Sequence, residues 1–406
     1  MRARLRELWL PAFVAGVCGA GLMALGMLSP AFSDYELEAE PSLQALREGD
    51  VDGFLTLAPV YGGSLIMRAP FALLPNLWGG GDLALFRSMA VPCLLVAAAF
   101  AVFLWWRGRK LGQSPVACWI ALLLVAGNPI TLRGLEIGHP EELLGGVLCV
   151  AAALAAGARR PLVAGVLLGL ALANKPWAVV AVVPLLAILP DRRPRMLAAA
   201  GGTGLLVMLP LLLGGNAVEN TTAVAQGGSL IFQPWQIWWF LGEHGETVTG
   251  IYGSYPDHRN LPTWLAGHER QLVVAIVVAS SLMLLPRVQR RGWPDGLLLL
   301  VFAFQLRCLV DTWNVSYYAV PLVIALVTWE LHAFKRPPVL SLAVTLCAWF
   351  TLVWLPPYAL PDVQALAYLA WALPLTGLLA ARLIWGERLR FQPALDGWTS
   401  PTGIRS

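Results

Sequence analysis

Apolar runs recur from one end of the chain to the other, at about residues 8–30, 84–106, 114–127, 142–157, 161–174, 176–190, 196–214, 271–286, 294–310, 315–333, 338–355 and 363–385. A helix that crosses a bilayer needs about 20 apolar residues, and a helix satisfies its own backbone polar groups in lipid. The runs therefore predict an all-α fold, a polytopic membrane protein with about 11–12 transmembrane helices. Segments 161–174 and 176–190 are short for a full span and are expected to be tilted, shielded by neighbours or incomplete crossings.

The polar residues between the runs set the orientation. Basic clusters fall at Arg2/Arg4/Arg6, Arg107/Arg109/Lys110, Arg159/Arg160, Arg192/Arg193/Arg195, Arg287/Arg290/Arg291, Lys335/Arg336 and Arg382/Arg388/Arg390, at every second connection. By the positive-inside rule these connections and both termini are cytoplasmic, in a multi-pass protein of the cell membrane. Residues 1–33 end in a stretch resembling a cleavage site, but the apolar segment exceeds the roughly 7–15 residues of a signal peptide and reads as a signal anchor. Two outer connections, the first (31–83) and the fourth (215–270), are long enough to suggest function. They divide the chain into an N-terminal membrane module (1–214), an outer loop with a Trp-rich segment at 232–240 suited to the membrane interface (215–270), and C-terminal helices with a cytoplasmic tail (271–406).

Composition narrows the class. Only 13% of residues are charged and 58% are apolar, whereas soluble domains carry roughly 25% charged residues. The net charge of +4 and the scattered basic clusters argue against nucleic acid as a partner. The six cysteines lie in or beside apolar runs without CxxC spacing, and no metal site is expected. No phosphate-binding Gly loop, dinucleotide fingerprint, HExxH or GxSxG pattern is present, which disfavours nucleotide-driven transport and the commoner hydrolases.

Candidate chemistry concentrates on the outer connections. Asp34 stands just beyond the first span, followed by Glu36, Glu38 and Glu40 at alternate positions. A carboxylate held at the bilayer surface can act as general base toward a hydroxyl. Glu38 and Glu40 read as a solvated acidic linker, while the adjoining helix can hold Asp34; Glu36 is the alternative base. A semi-apolar stretch at 64–78, broken by Pro70 and Pro75, suggests a re-entrant or interfacial helix. In the stretch 128–142, Glu141 and Glu142 suit a helix N-terminus as well as a site, and Arg133 and His139 offer anion contacts. Lys175, in Asn174-Lys175-Pro176 between two short segments, is an ionisable residue at membrane depth and so a candidate phosphate ligand. Arg307 and Asp311, four apart, are expected to pair with one another, with phosphate contact by Arg307 the second reading. Gly165-Val166-Leu167-Leu168-Gly169 predicts close helix packing.

Asp34-Tyr35 beyond the first helix, Gly138-His139-Pro140-Glu141-Glu142, Gly165 to Trp177 with Lys175-Pro176, and Asp311-Thr312-Trp313-Asn314 with Tyr317-Tyr318 together resemble glycosyltransferase family 87, within the GT-C superfamily. The resemblance implies a GT-C-like fold with an extracytoplasmic active site. It implies transfer of a sugar, mannose in the mannosyltransferase-like members, from a polyprenyl-phosphate donor to a glycolipid or glycan acceptor with inversion. Asp34 or Glu36 would be the catalytic base; Lys175, Arg133, His139 and Arg307 would stabilise the donor phosphate; Glu141, Glu142, Asp311 and Tyr35 would bind substrate. No cofactor is implied, since the lipid-linked sugar is a substrate, and the divalent-cation requirement stays open. A secondary transporter or flippase for lipid-linked sugars is the rival, although no repeat relates the two halves.

Split by predicted side, 20 of the 28 Lys/Arg but 6 of the 24 Asp/Glu lie inside, so the +4 is a cancellation of +14 against −10. The acidic outer face is where chemistry is expected, and anionic membrane lipids are expected partners of the inner one.

Overall fold

The computed structural model describes residues 2–386 apart from 32, 60, 215, 217–231, 246 and 251–252. Every apolar run of the sequence is helical. Following a long α1 (Arg2–Gly26), the chain forms a π-helical turn (Tyr35–Ala39), α2 (Glu40–Arg47), α3 (Val51–Thr56), α4 (Gly62–Ala72), α5 (Asp82–Lys110), α6 (Pro115–Ala126), α7 (Pro129–Ile137), α8 (Pro140–Gly157) and α9 (Pro161–Asn174). A 3-10 turn (Pro176–Ala181) leads into α10 (Val182–Ile188), then α11 (Arg193–Gly214), α12 (Glu269–Arg291), α13 (Trp293–Val310), α14 (Ala319–Ala333), α15 (Val339–Trp349) and α16 (Pro361–Trp385). Among the described residues, 8 helices are long and apolar enough to cross a membrane, joined by shorter apolar helices such as α9. The only strands described are four short ones, β1 (Glu243–His244), β2 (Thr247–Gly250), β3 (Gly253–Pro256) and β4 (Arg259–Asn260), paired β1–β4 and β2–β3 as a nested hairpin.

Local sequence sets the boundaries. Ser114 and Asn128 cap α6 and α7 by accepting from the N–H groups of Ala117 and Ile130, each followed by a proline that fits the first turn. Gly138, at φ +98°, ends α7 in the left-handed conformation that glycine adopts most easily. Burial then sorts the helices into layers: the most apolar windows of α8 and α13 are 78% and 83% buried, against 17% for α1 and for α11. The first pair forms the centre. The second presents leucines outward, as lipid-facing helices do, because hydrocarbon is as apolar as they are.

The expected close packing at Gly165 and Gly169 is observed. A Cβ on either would collide with the backbone carbonyl of Met196 or Ala200, so α9 and α11 approach closely only because both positions are glycine. One expectation is revised. The acidic stretch expected to be linker is helical, while the semi-apolar stretch forms a helix as expected, α4, lodged in the protein with Ser64, Leu65, Arg68 and Ala72 buried. The Trp-rich segment at 232–240 rests on the helices through Trp239, which is wholly buried, and Trp238, whose indole N–H donates to the Val310 carbonyl at 2.8 Å, while Ile237 and Phe240 stay exposed. The expected cytoplasmic tail from 387 onward lies outside the described residues.

Candidate active site

One end of α8, α9, α12 and α13 surrounds a cavity of about 600 Å³. The basic clusters at 107–110, 159–160, 287–291 and 382 sit at the opposite ends of their helices, so cavity and clusters divide along the long axis as the charge pattern predicts.

Beside the cavity is a chain of buried charges. Asp34 Oδ2 lies 2.8 Å from His139 Nε2, and His139 Nδ1 lies 2.6 Å from Glu141 Oε1. Lys175 Nζ is 3.0 Å from the same Glu141 oxygen, and Arg68 Nη2 is 3.3 Å from the other. The backbone explains the convergence. Pro140 opens α8, which puts Glu141 and Glu142 in its first turn, where the helix dipole favours carboxylates. Lys175 is the extended residue that ends α9, since Pro176 cannot continue the helix, and its side chain reaches back toward α8. Asn174 holds the two helices together, accepting from Ser64 Oγ and donating to the Glu141 carbonyl, both at 2.8 Å.

His139 is nearly buried. Burial and the Lys175 charge favour its neutral ring, but the Glu141 charge and the hydrogen bonds to Asp34 and Glu141 outweigh them and raise its pKa to about 9. At neutral pH it is therefore an imidazolium that donates from both nitrogens, clamping Asp34 on one side and Glu141 on the other.

Arg307 continues the charge chain on the far side of Glu142, whose Oε1 lies 3.8 Å from Lys175 Nζ, and its guanidinium is 3.9 Å from the Tyr318 ring centre and 4.6 Å from that of Trp177. Such stacking is a favoured use of the planar guanidinium. The nearest carboxylate is Glu142, with Nη1 and Oε2 3.8 Å apart, too far for a hydrogen bond. Both atoms are buried without a hydrogen-bond partner at the edge of the cavity. The other Glu142 oxygen accepts from the Trp177 indole N–H at 2.9 Å. A buried donor and acceptor left unpaired are costly, and a bound oxygen-rich molecule would satisfy both.

Asp34, His139, Glu142, Lys175, Arg307 and Asp311 all line this cavity. Glu141 lies behind them as the hub of the ion pairs. The expected Arg307–Asp311 pair is replaced by the Glu142 contact: Asp311 follows the end of α13, where it accepts from the Trp313 backbone N–H at 3.0 Å. Burial pushes its carboxyl up, against the pull of Arg307. Arg133 is not in the site. Gly138 separates α7 from α8, leaving Arg133 on an exposed face paired with Glu136 at 2.8 Å. Tyr35 packs on Phe86 beside the cavity without lining it, and exposed Glu36 does not line it either. Glu38 does, because the π-helical turn brings residues 34 and 38 to one face. Tyr61, over whose ring Lys175 Nζ sits at 3.9 Å, and Arg270 near the start of α12 were also not foreseen. Among the described residues no group of three or more His, Cys, Asp or Glu has metal-holding geometry.

Fold and site thus define a polytopic helical membrane protein with an ionised cavity at one end. Residues 63–239 match the model of glycosyltransferase family 87, in agreement with the resemblance drawn from the short motifs. That match supports a membrane glycosyltransferase, acting between a sugar donor and an acceptor. It includes His139, Glu141, Glu142 and Lys175, while Asp34, Arg307 and Asp311 complete the cavity from outside it. A search of curated proteins returned no match.

Proposed function

We propose that the protein transfers a sugar, mannose by family resemblance, from a polyprenyl-phosphate donor to a hydroxyl of a glycolipid or glycan acceptor, with inversion. The reaction takes place on the extracytoplasmic face of the cell membrane, and the termini are cytoplasmic. The observation that carries this reading is that one cavity is lined by a carboxylate, Asp34, and by two cations, Lys175 and Arg307.

His139 occupies Asp34 Oδ2, leaving Oδ1 to meet the acceptor hydroxyl. Asp34 takes the hydroxyl proton as the acceptor oxygen bonds to the anomeric carbon. The bond from that carbon to the phosphate oxygen breaks, and its electron pair leaves with the lipid phosphate. Lys175 and Arg307 stabilise the charge that develops there; a cation preorganised in a water-poor site does this at little reorganisation cost. The unpartnered atoms of Arg307 and Glu142 fit a phosphate oxygen and a sugar hydroxyl, and the Tyr61 and Trp177 rings offer apolar faces to the sugar.

The test uses purified protein in lipid with radiolabelled polyprenyl-phosphate mannose and candidate acceptors. Asp34→Asn keeps the shape but not the base, and transfer is expected to fall about a thousandfold, while Glu36→Gln stays near wild type. Donor consumption unchanged by Asp34→Asn would sink the mechanism. Vectorial movement of intact donor without transfer would favour a flippase.

A further inference from the structure

A second cavity lies at the far end of α9, one helix length from Lys175, about 20 Å at 1.5 Å per residue. It is an open groove of about 560 Å³ between the turn that joins α8 to α9 and the turn that joins α10 to α11. Three arginines line it, Arg160 from the first turn, Arg192 from the second and Arg195 from the start of α11, together with Pro161, Leu162 and Val163.

Two properties set this groove apart from a merely solvated basic surface. The nearby acid, Asp191, is engaged by Arg159 at 3.4 Å, and Arg193 donates to the Leu186 carbonyl; among the described residues no carboxylate pairs with Arg160, Arg192 or Arg195. Three like charges thus border one groove with no carboxylate paired to any of them among the described residues. The remaining lining is apolar and bare, with Leu162 62% and Val163 47% exposed at the start of an apolar helix. The arginines border an apolar groove, so charge at its rim and bare hydrocarbon within it match the headgroup and acyl chains of an anionic lipid.

We propose that this groove is a binding site for an anionic phospholipid, distinct from the glycosyl-transfer cavity. The three guanidiniums hold the phosphodiester headgroup through charge-assisted hydrogen bonds, and Leu162 and Val163 take the first methylenes of the acyl chains. A free phosphate would use the cations and leave the apolar floor bare. The bound lipid also bridges the two turns that flank the α9–α11 pair, whose packing already depends on Gly165 and Gly169.

The experiment delipidates the full-length protein in detergent, titrates phosphatidylglycerol against phosphatidylcholine, and counts bound lipid by native mass spectrometry. Wild type is expected to retain phosphatidylglycerol selectively. The triple variant Arg160→Gln/Arg192→Gln/Arg195→Gln is expected to bind it about a hundredfold more weakly, since each basic side chain beside an anionic headgroup contributes substantially. A control of equal charge outside the groove, Lys110→Gln/Arg287→Gln/Arg290→Gln, is expected to bind as wild type. Equal loss in both triples would mean bulk charge alone and overturn the site, as would retention in both. Displacement of the lipid by an equal concentration of inorganic phosphate would overturn the lipid assignment. If the groove triple does not fold, the single changes Arg192→Gln and Arg195→Gln are read in the same way: undiminished binding in both overturns the proposal.

Discussion

Two acidic sites at the cavity end of the molecule are built from almost the same parts and differ in burial. At the start of α8, Glu141 and Glu142 are met by Arg68, His139, Lys175 and the Trp177 indole N–H. At the start of α16, Asp362 is met by Arg259, by His244 at 3.8 Å and by the Trp239 indole N–H. Glu141 is 1% exposed and Asp362 36%. Where water is excluded the charges have only one another, so their geometry is over-determined and a reacting carboxylate can be held in place by them. Where water reaches the carboxylate, the same groups make a clasp that fastens the nested hairpin to α16.

The sharpest way to break that contrast is to remove one charge from the buried set. Arg68→Met is expected to cost about 3 kcal/mol of stability, near the low end for breaking a buried pair, because Lys175 and His139 remain on Glu141. Thermal unfolding in detergent measures it. A loss below about 1 kcal/mol, the range of exposed pairs, would show that water already reaches Glu141.

A pH series sharpens the contrast from the other side. The His139 pKa is raised from 6.5 to about 9 in the folded protein. Its contribution to stability is then fully present below about pH 6.5 and is lost as the pH rises through 9. Wild type should lose stability across that interval relative to His139→Gln, which has no such proton to lose. Transfer activity should fall over the upper part of the interval as the clamp on Asp34 discharges. Parallel pH profiles for the two proteins would remove the imidazolium from the account.

Much of this was legible in the sequence because lipid imposes a simple rule. Runs of apolar residues had to be helices, and the alternation of basic connections had to sort the helix ends, so the cavity and the basic clusters separate as expected. The single residues were harder. Lys175 and Arg307 could be picked out because an ionisable side chain in an apolar segment must have a reason to be there, and Arg68 in its semi-apolar stretch carried the same signal unheeded. Glu38 was taken for linker because alternate acids suggest an extended chain, whereas a helical turn selects Asp34 and Glu38, four apart. Arg133 and His139 both read as anion contacts, but the left-handed glycine at 138 ends α7 between them and leaves only His139 at the cavity. The Arg307–Asp311 spacing fits a helix that in fact ends at Val310. In the last two cases a local break in the backbone, invisible to periodicity, decides which side chains meet.

The smallest expected effect lies in the exposed clasp, and it carries the comparison furthest. Arg259 grips Asp362 with Nε on Oδ1 at 2.9 Å and Nη2 on Oδ2 at 2.8 Å, and its Nη1 donates to the Gly242 carbonyl at 3.0 Å. The fork geometry is that of a strong pair, yet Asp362 stays open to water that can replace the lost donors. Arg259→Gln is therefore expected to cost no more than about 1 kcal/mol in global unfolding. Its effect should be local instead. With the hairpin no longer fastened, limited proteolysis between residues 232 and 260 should quicken several-fold while the helices unfold at nearly the same temperature. A global loss matching that of Arg68→Met would place the clasp within the cooperative core, and burial would then not be what separates the two sites.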